Sequence, residues 1–162
     1  MEGVGRPDVL RELRDEASGP HAATRARARR DALALIADEN LLEAAYRFRF
    51  VPVDGIEGGM PRAGGEVIRG PRLVPETGRL TALACAVATV GPGIERRVSA
   101  LFAERRMSLA LALDGIGNEL LMHVSRKLQD RMLALAAKHG LTMAGELRPG
   151  DPGLALGAHA PV

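Results

Sequence analysis

The segment from about Met107 to His139 reads as one long helix, and its apolar side needs cover from the rest of the chain. Leu113, Ile116, Leu120, Leu121, Val124, Leu128 and Leu135 recur at helical spacing and line that side. Gly115 and Gly117 lie inside the helix. A glycine there costs about 1 kcal/mol relative to alanine. Two in one turn point to close approach by another backbone or a ligand. Gly140 is well placed as the C′ residue that stops the helix.

The rest of the chain alternates between periods. Residues 7–16 predict a short helix, with Pro7 in its first turn, Asp8 at the positive end of its dipole and Ser18-Gly19-Pro20 as its stop. A longer helix is predicted from Ala22 to Asp38, with Leu33, Ile36 and Ala37 on one face. Its first half offers only alanine as apolar material, so it should project or pack lightly. "YRFRFVPV" sets Tyr46, Phe48 and Phe50 against Arg47 and Arg49, which is strand spacing, and Pro52 suggests an edge. "DGIEGGMPRAGG" reads as turns and "EVIRG" as a short return strand. "LTALACAVATVG" is apolar with little alternation, as in a central strand covered on both faces. A helix follows, with Ile94, Val98, Leu101 and Phe102 at i, i+4, i+7 and i+8. "LTMAGEL" reads as the last strand, ended by the loop "GELRPGDPG", and the residues after it as a frayed tail.

Runs of strands beside runs of helices predict an α+β fold. The expected divisions are an N-terminal helical segment or arm at 1–45, an α+β core at 46–153 and a tail at 154–162. The length of 162 residues suits this.

Composition narrows the function classes. Apolar residues make up 46% and aromatics 2%, so the core must be built from Ala, Leu, Val and Ile, and surfaces for base stacking are not expected. The pI near 9.2 looks basic. Yet the formal net charge is +2, and residues 1–50 hold nine Arg against nine Asp or Glu. The run "TRARARR" from Thr24 to Arg30 is followed by Asp31, Asp38 and Glu39, as on a solvated helix face. A nucleic-acid partner is therefore not expected. The single cysteine, Cys85, should be a buried, inert thiol. With no signal peptide or membrane span evident, a soluble cytoplasmic protein is expected.

No catalytic signature stands out. The four histidines, His21, His123, His139 and His159, never pair at metal-binding spacing, and there is no HExxH, CxxC or Ser-His-Asp pattern. His123 stands four residues after Glu119, as for a surface ion pair. "GPGIER" leads from a strand into a helix whose amides could hold an anion, but it lacks the nucleotide-binding patterns. Asp114 and Glu119 lie near the glycine pair and could meet an ammonium group or hydroxyls, or stand as exposed helix charge.

Taken in order, Ala88-Thr89-Val90-Gly91-Pro92, Leu113-Asp114-Gly115-Ile116-Gly117, a long charged helix ending at Gly140, and "GLTMAGELRPGD" resemble the activation domain of cobalamin-dependent methionine synthase, and its small stand-alone homologues most of all. The likeness covers roughly Tyr46 to Asp151. It implies a mixed, mainly antiparallel sheet flanked by helices. It also implies S-adenosylmethionine as ligand and a part in reductive remethylation of cob(II)alamin. The cobalamin would be held by a corrinoid-binding methyltransferase partner, and a flavodoxin-type donor would supply the electron.

The resemblance assigns roles by position. Arg148 becomes the clamp for the methionyl carboxylate, since a guanidinium fork makes two parallel charged hydrogen bonds. Pro149 and Gly150, or Pro152 and Gly153, would shape the turn. Asp151, or Leu154 in the shifted alignment, stands where the family has a tyrosine, and Glu119, with Asp114 near it, is the helix carboxylate for the ligand's ammonium. The alternative is a docking module for a corrinoid methyltransferase that no longer holds S-adenosylmethionine. A homo-oligomer built on an exposed sheet edge is a third possibility.

Overall fold

Two pairs of glycines turn the chain twice within a dozen residues. The computed structural model describes residues 1–13, 22–148, 150–152 and 154. In it β2 (Ala45–Glu57) reverses through Gly58-Gly59 into β3 (Met60–Ala63), which reverses through Gly64-Gly65 into β4 (Glu66–Val67). All four turn glycines have positive φ, from 57° to 84°. That is the backbone of two-residue type I′ hairpins, whose twist matches antiparallel strands. The Asp54 carboxylate accepts from the Gly65 N–H at 3.3 Å. A bulge at Val53/Gly55 shifts the register before the first turn.

The full order adds β1 (Glu2–Gly5), α1 (Ala22–Asp38), β5 (Ala82–Thr89), α2 (Gly93–Ala103) and α3 (Met107–Lys138), with short 3-10 turns at Leu10–Glu12 and Pro71–Leu73. The strands form one sheet in the order β1-β2-β3-β4, with β5 also paired to β2. The chain is α+β, with a mainly antiparallel sheet and three α-helices among the described residues.

Contacts divide the chain into two compact units. The first comprises Met1–Gly3, Phe48–Cys85 and the described residues from Met132 onward. Its interior holds Phe48, Phe50, Pro61 and Ala63, with the two phenylalanine rings edge to face at 6.0 Å. The Phe48 ring occupies the place where a side chain on Gly3 would be, 2.5 Å from an ideal Cβ. Val53 donates to the Thr81 carbonyl at 3.0 Å.

The second unit comprises Val4–Arg47 and Ala86–Arg131. Here α3 presents Leu113, Ile116, Leu120 and Val124, all fully buried, to Ala32 and Ile36 of α1, to Ile94, Val98 and Leu101 of α2, and to Val9. Burying each such aliphatic side chain contributes roughly 1.5–3 kcal/mol. The three helices end alike. Leu41 donates to Ile36, Arg106 to Leu101 and, in the first unit, Leu141 to Ala136, each bridging a left-handed residue: Asn40, Arg105 and Gly140. This is the Schellman stop, and Gly140 is the C′ residue that the sequence predicts.

Several expectations are corrected. Residues 1–45 are not purely helical, because β1 joins the sheet. The helix expected from Pro7 is a single 3-10 turn over its described part. The stop at 18–20 lies outside the described residues, as does the tail beyond Leu154. α1 is tied in by Ala32 and Ile36, while Ala37 is exposed. "DGIEGGMPRAGG" contains β3 and its flanking turns. β5 is not covered on both faces: Cys85, Ala86 and Val87 are exposed, so the thiol is not buried. "LTMAGEL" forms no strand.

The N-terminal turn is held to α3 by charge. The Glu12 carboxylate takes Lys127 Nζ and, at 3.2 Å, His123 Nδ1. The Lys127 hydrogen bond, supported by the charges of Lys127 and His123, holds Glu12 below its ordinary value of 4.5. A lowered carboxylate pKa contributes stability that is complete above the ordinary value and is lost as pH falls through the folded one. Glu12→Gln should therefore unfold at lower urea than the native chain at neutral pH, and the difference should close well below pH 4.5. Equal midpoints at neutral pH would show that the tether contributes nothing.

Candidate functional site

Arg148 opens a turn that bonds to itself. Its backbone N–H donates to Asp151 Oδ2 at 2.7 Å, and the Asp151 N–H returns a bond to the Arg148 carbonyl at 2.9 Å. An aspartate that closes a turn on a nearby backbone amide is a common local device. Gly150, at φ 98°, and Leu154 extend it: Gly150 donates to the Leu154 carbonyl and Leu154 to that of Asp151, both at 2.9 Å. The turn is also fastened to the rest of its unit. Arg72 donates to the Pro152 carbonyl at 3.2 Å, and Leu154 packs beside Gly70. Pro149 and Gly153 lie outside the described residues.

This bonding assigns Asp151 a definite part. It ties down the backbone of Arg148 and does not pair with the guanidinium. The guanidinium partner is Glu146, 3.0 Å from Nε, in a pair whose side chains are 61% and 50% exposed. An exposed pair of this kind is worth 0–1 kcal/mol, so an incoming carboxylate could displace it. The terminal nitrogens of Arg148 carry the fork that a ligand carboxylate would use.

The two helix carboxylates belong to the other unit. They stand five positions apart on α3, about 140° around its axis, and so face different ways. Asp114 is exposed. Both oxygens of Glu119 are held by Arg29 of α1, at 2.9 and 2.6 Å. Two parallel charged hydrogen bonds make this the strongest kind of surface pair. Glu119 therefore does not pair with His123 as its spacing suggests; His123 turns to Glu12. Arg29 was the residue missed. The only signal for it was its place in the Thr24–Arg30 run, which marks a charged face but no partner.

The glycine pair on α3 divides by facing. Gly117 is buried, and an ideal Cβ there would lie 3.0 Å from Ile94 of α2. The close approach that the sequence suggests is thus a helix crossing. Gly115 is exposed, with nothing within 4 Å of that position.

Other features bear little on chemistry. A shallow cleft in the first unit, lined by Val53, Asp54, Ile56, Val74, Arg79 and Leu80, includes none of the motif residues. Among the described residues no three His, Cys, Asp or Glu gather as for a metal ion, and no helix is long and apolar enough to cross a membrane. No protein-family model matches the chain, and no curated protein matches it.

Proposed function

We propose that the chain is an activation-domain-like module that serves a cobalamin-dependent methyltransferase in trans, binding S-adenosylmethionine for reductive remethylation of cob(II)alamin. The reading rests on the ordered sequence motifs. The observation that carries it is the turn at Arg148: a fastened backbone under an exposed guanidinium, with Asp151 engaged elsewhere. Arg148 would hold the ligand's carboxylate. The cobalamin and the electron donor would belong to partner proteins. S-adenosylmethionine, once bound, supplies the methyl group.

Calorimetric titration with S-adenosylmethionine tests this. The native chain should bind. Arg148→Ala should bind about 10- to 100-fold more weakly, as expected for losing a charged hydrogen-bond pair of roughly 1.5–3 kcal/mol. Its unfolding free energy should stay within about 0.5 kcal/mol of native, since the side chain is exposed. Absence of binding at millimolar ligand would remove S-adenosylmethionine from the proposal.

A second reading has its own support: Glu119 is already committed to Arg29, and Nε of Arg148 to Glu146. On that reading the chain docks onto a corrinoid methyltransferase without holding the ligand. Capture of a corrinoid protein by native chain and Arg148→Ala alike, with no binding of S-adenosylmethionine, would favour it.

A further inference from the structure

Among the described residues, β5 pairs with β2 alone, which leaves it one open edge. An open edge presents unpaired N–H and C=O groups, and monomeric proteins usually blunt it with charge, proline or cover. β5 has no charged residue and no proline. Cover is missing at its centre, where Cys85, Ala86 and Val87 are exposed, Val87 at 61%. The strand also carries a hidden period of two. Ala82, Ala84, Ala86 and Ala88 point to one face, and Leu83, Cys85, Val87 and Thr89 to the other.

We propose that the open edge of β5 pairs antiparallel with β5 of a second copy of this chain about a two-fold axis. Such an axis, perpendicular to the sheet, keeps each face on its own side. Alanines then meet alanines, and the larger residues meet one another, in every allowed register. The proposed register is the one centred on Cys85, where Leu83 lies opposite Val87 of the second copy and the two thiols lie opposite each other. No like charges are brought together within the paired strands. A foreign segment would need the same alternation to fit as well; a second copy supplies it by symmetry.

Eight residues span roughly 26 Å. A contact of that length buries less than the ~800 Å² per partner of a standard interface. Association should therefore be weak and concentration-dependent.

Directly opposite residues in an antiparallel pair have Cα atoms about 4.5–5.5 Å apart, within reach of a disulfide. Cys85 thus reports on the register. The full chain is examined by sedimentation velocity from low to high micromolar concentration, and by diamide oxidation followed on non-reducing gels. The expected result is sedimentation that rises with concentration and a disulfide-linked dimer. Cys85→Ser should abolish the covalent dimer and keep the concentration dependence. Val87→Lys, at an exposed position and with its fold checked by circular dichroism, should weaken association at least about tenfold. A monomer at all concentrations overturns the proposal, which is also the outcome if the edge instead receives a segment of another protein. A dimer that Val87→Lys leaves unchanged, or one that diamide does not link through Cys85, overturns it as well.

Discussion

Gly93→Ala should destabilise the helical unit by about 3 kcal/mol or more, because the added methyl group meets backbone and not a yielding side chain. An ideal Cβ on Gly93 would clash with the Leu41 carbonyl oxygen and lie 3.1 Å from the Leu41 Cα and carbonyl carbon. Leu41 cannot easily retreat. Its N–H closes the end of α1 on Ile36 at 3.0 Å, and two residues on Glu43 donates to Val90 at 2.9 Å. The passage from β5 into α2 is thus pressed against the segment that leaves α1. Gly91 feels the same constraint: its φ is 80°, and a Cβ there would lie 2.6 Å from that of Glu43. Urea unfolding of Gly93→Ala measures the effect. A loss under about 1 kcal/mol would mean that the two segments part readily and that the glycine is a convenience of the turn.

This junction lies in "GPGIER", Gly91–Arg96, which the sequence shows leading from a strand into a helix. What it presses on could not be read there, because Leu41 is 52 positions from Gly93 and nothing in its own neighbourhood announces a partner. The helices were legible for a different reason. α2 and α3 concentrate Leu, Ile and Val on one side, so a period of 3.6 stands out against charged residues. β5 defeated the same reasoning. Its alternation runs between alanine and larger apolar residues, and both count as apolar, so an edge strand reads like a buried central one. β1 was invisible because two of its four residues are glycine, which carries no strand signal. Those glycines leave room for the Phe48 and Tyr46 rings, a contact that only the folded sheet reveals.

The candidate site divides the same way. The loop at Arg148 is legible as a motif, and its Pro and Gly mark a turn. Its internal bonding is a matter of geometry: Asp151 could have met the guanidinium and instead met the backbone. For the helix carboxylates, local spacing misled. An i,i+4 pair such as Glu119 and His123 is worth only about 0.2–0.5 kcal/mol. A bidentate arginine from another helix outbids it, and Arg29 stands 90 positions from Glu119.

Neighbouring positions on α3 should respond with opposite sign. Ile116 is fully buried among side chains of α1 and α2, so Ile116→Ala removes apolar contact and leaves a cavity. The expected loss is about 2–5 kcal/mol, toward the upper end where the walls cannot close in. Those walls are two other helices fastened by the Schellman stops and, for α1, by the Arg29–Glu119 pair, which limits collapse. Gly115→Ala, one residue earlier, places a methyl group in open space on an exposed turn with ordinary helical φ. It should stabilise by up to about 1 kcal/mol, since alanine loses less backbone entropy in a helix. Gly117→Ala should fall between them, because its Cβ would press on an Ile94 methyl group at 3.0 Å, which can shift a little. Thermal and urea unfolding of the three variants reads the order directly. A gain at Gly115 with a loss at Ile116 follows from facing alone. A loss at Gly115 would mean that the added methyl group meets a neighbour within the folded chain and that this turn is not open.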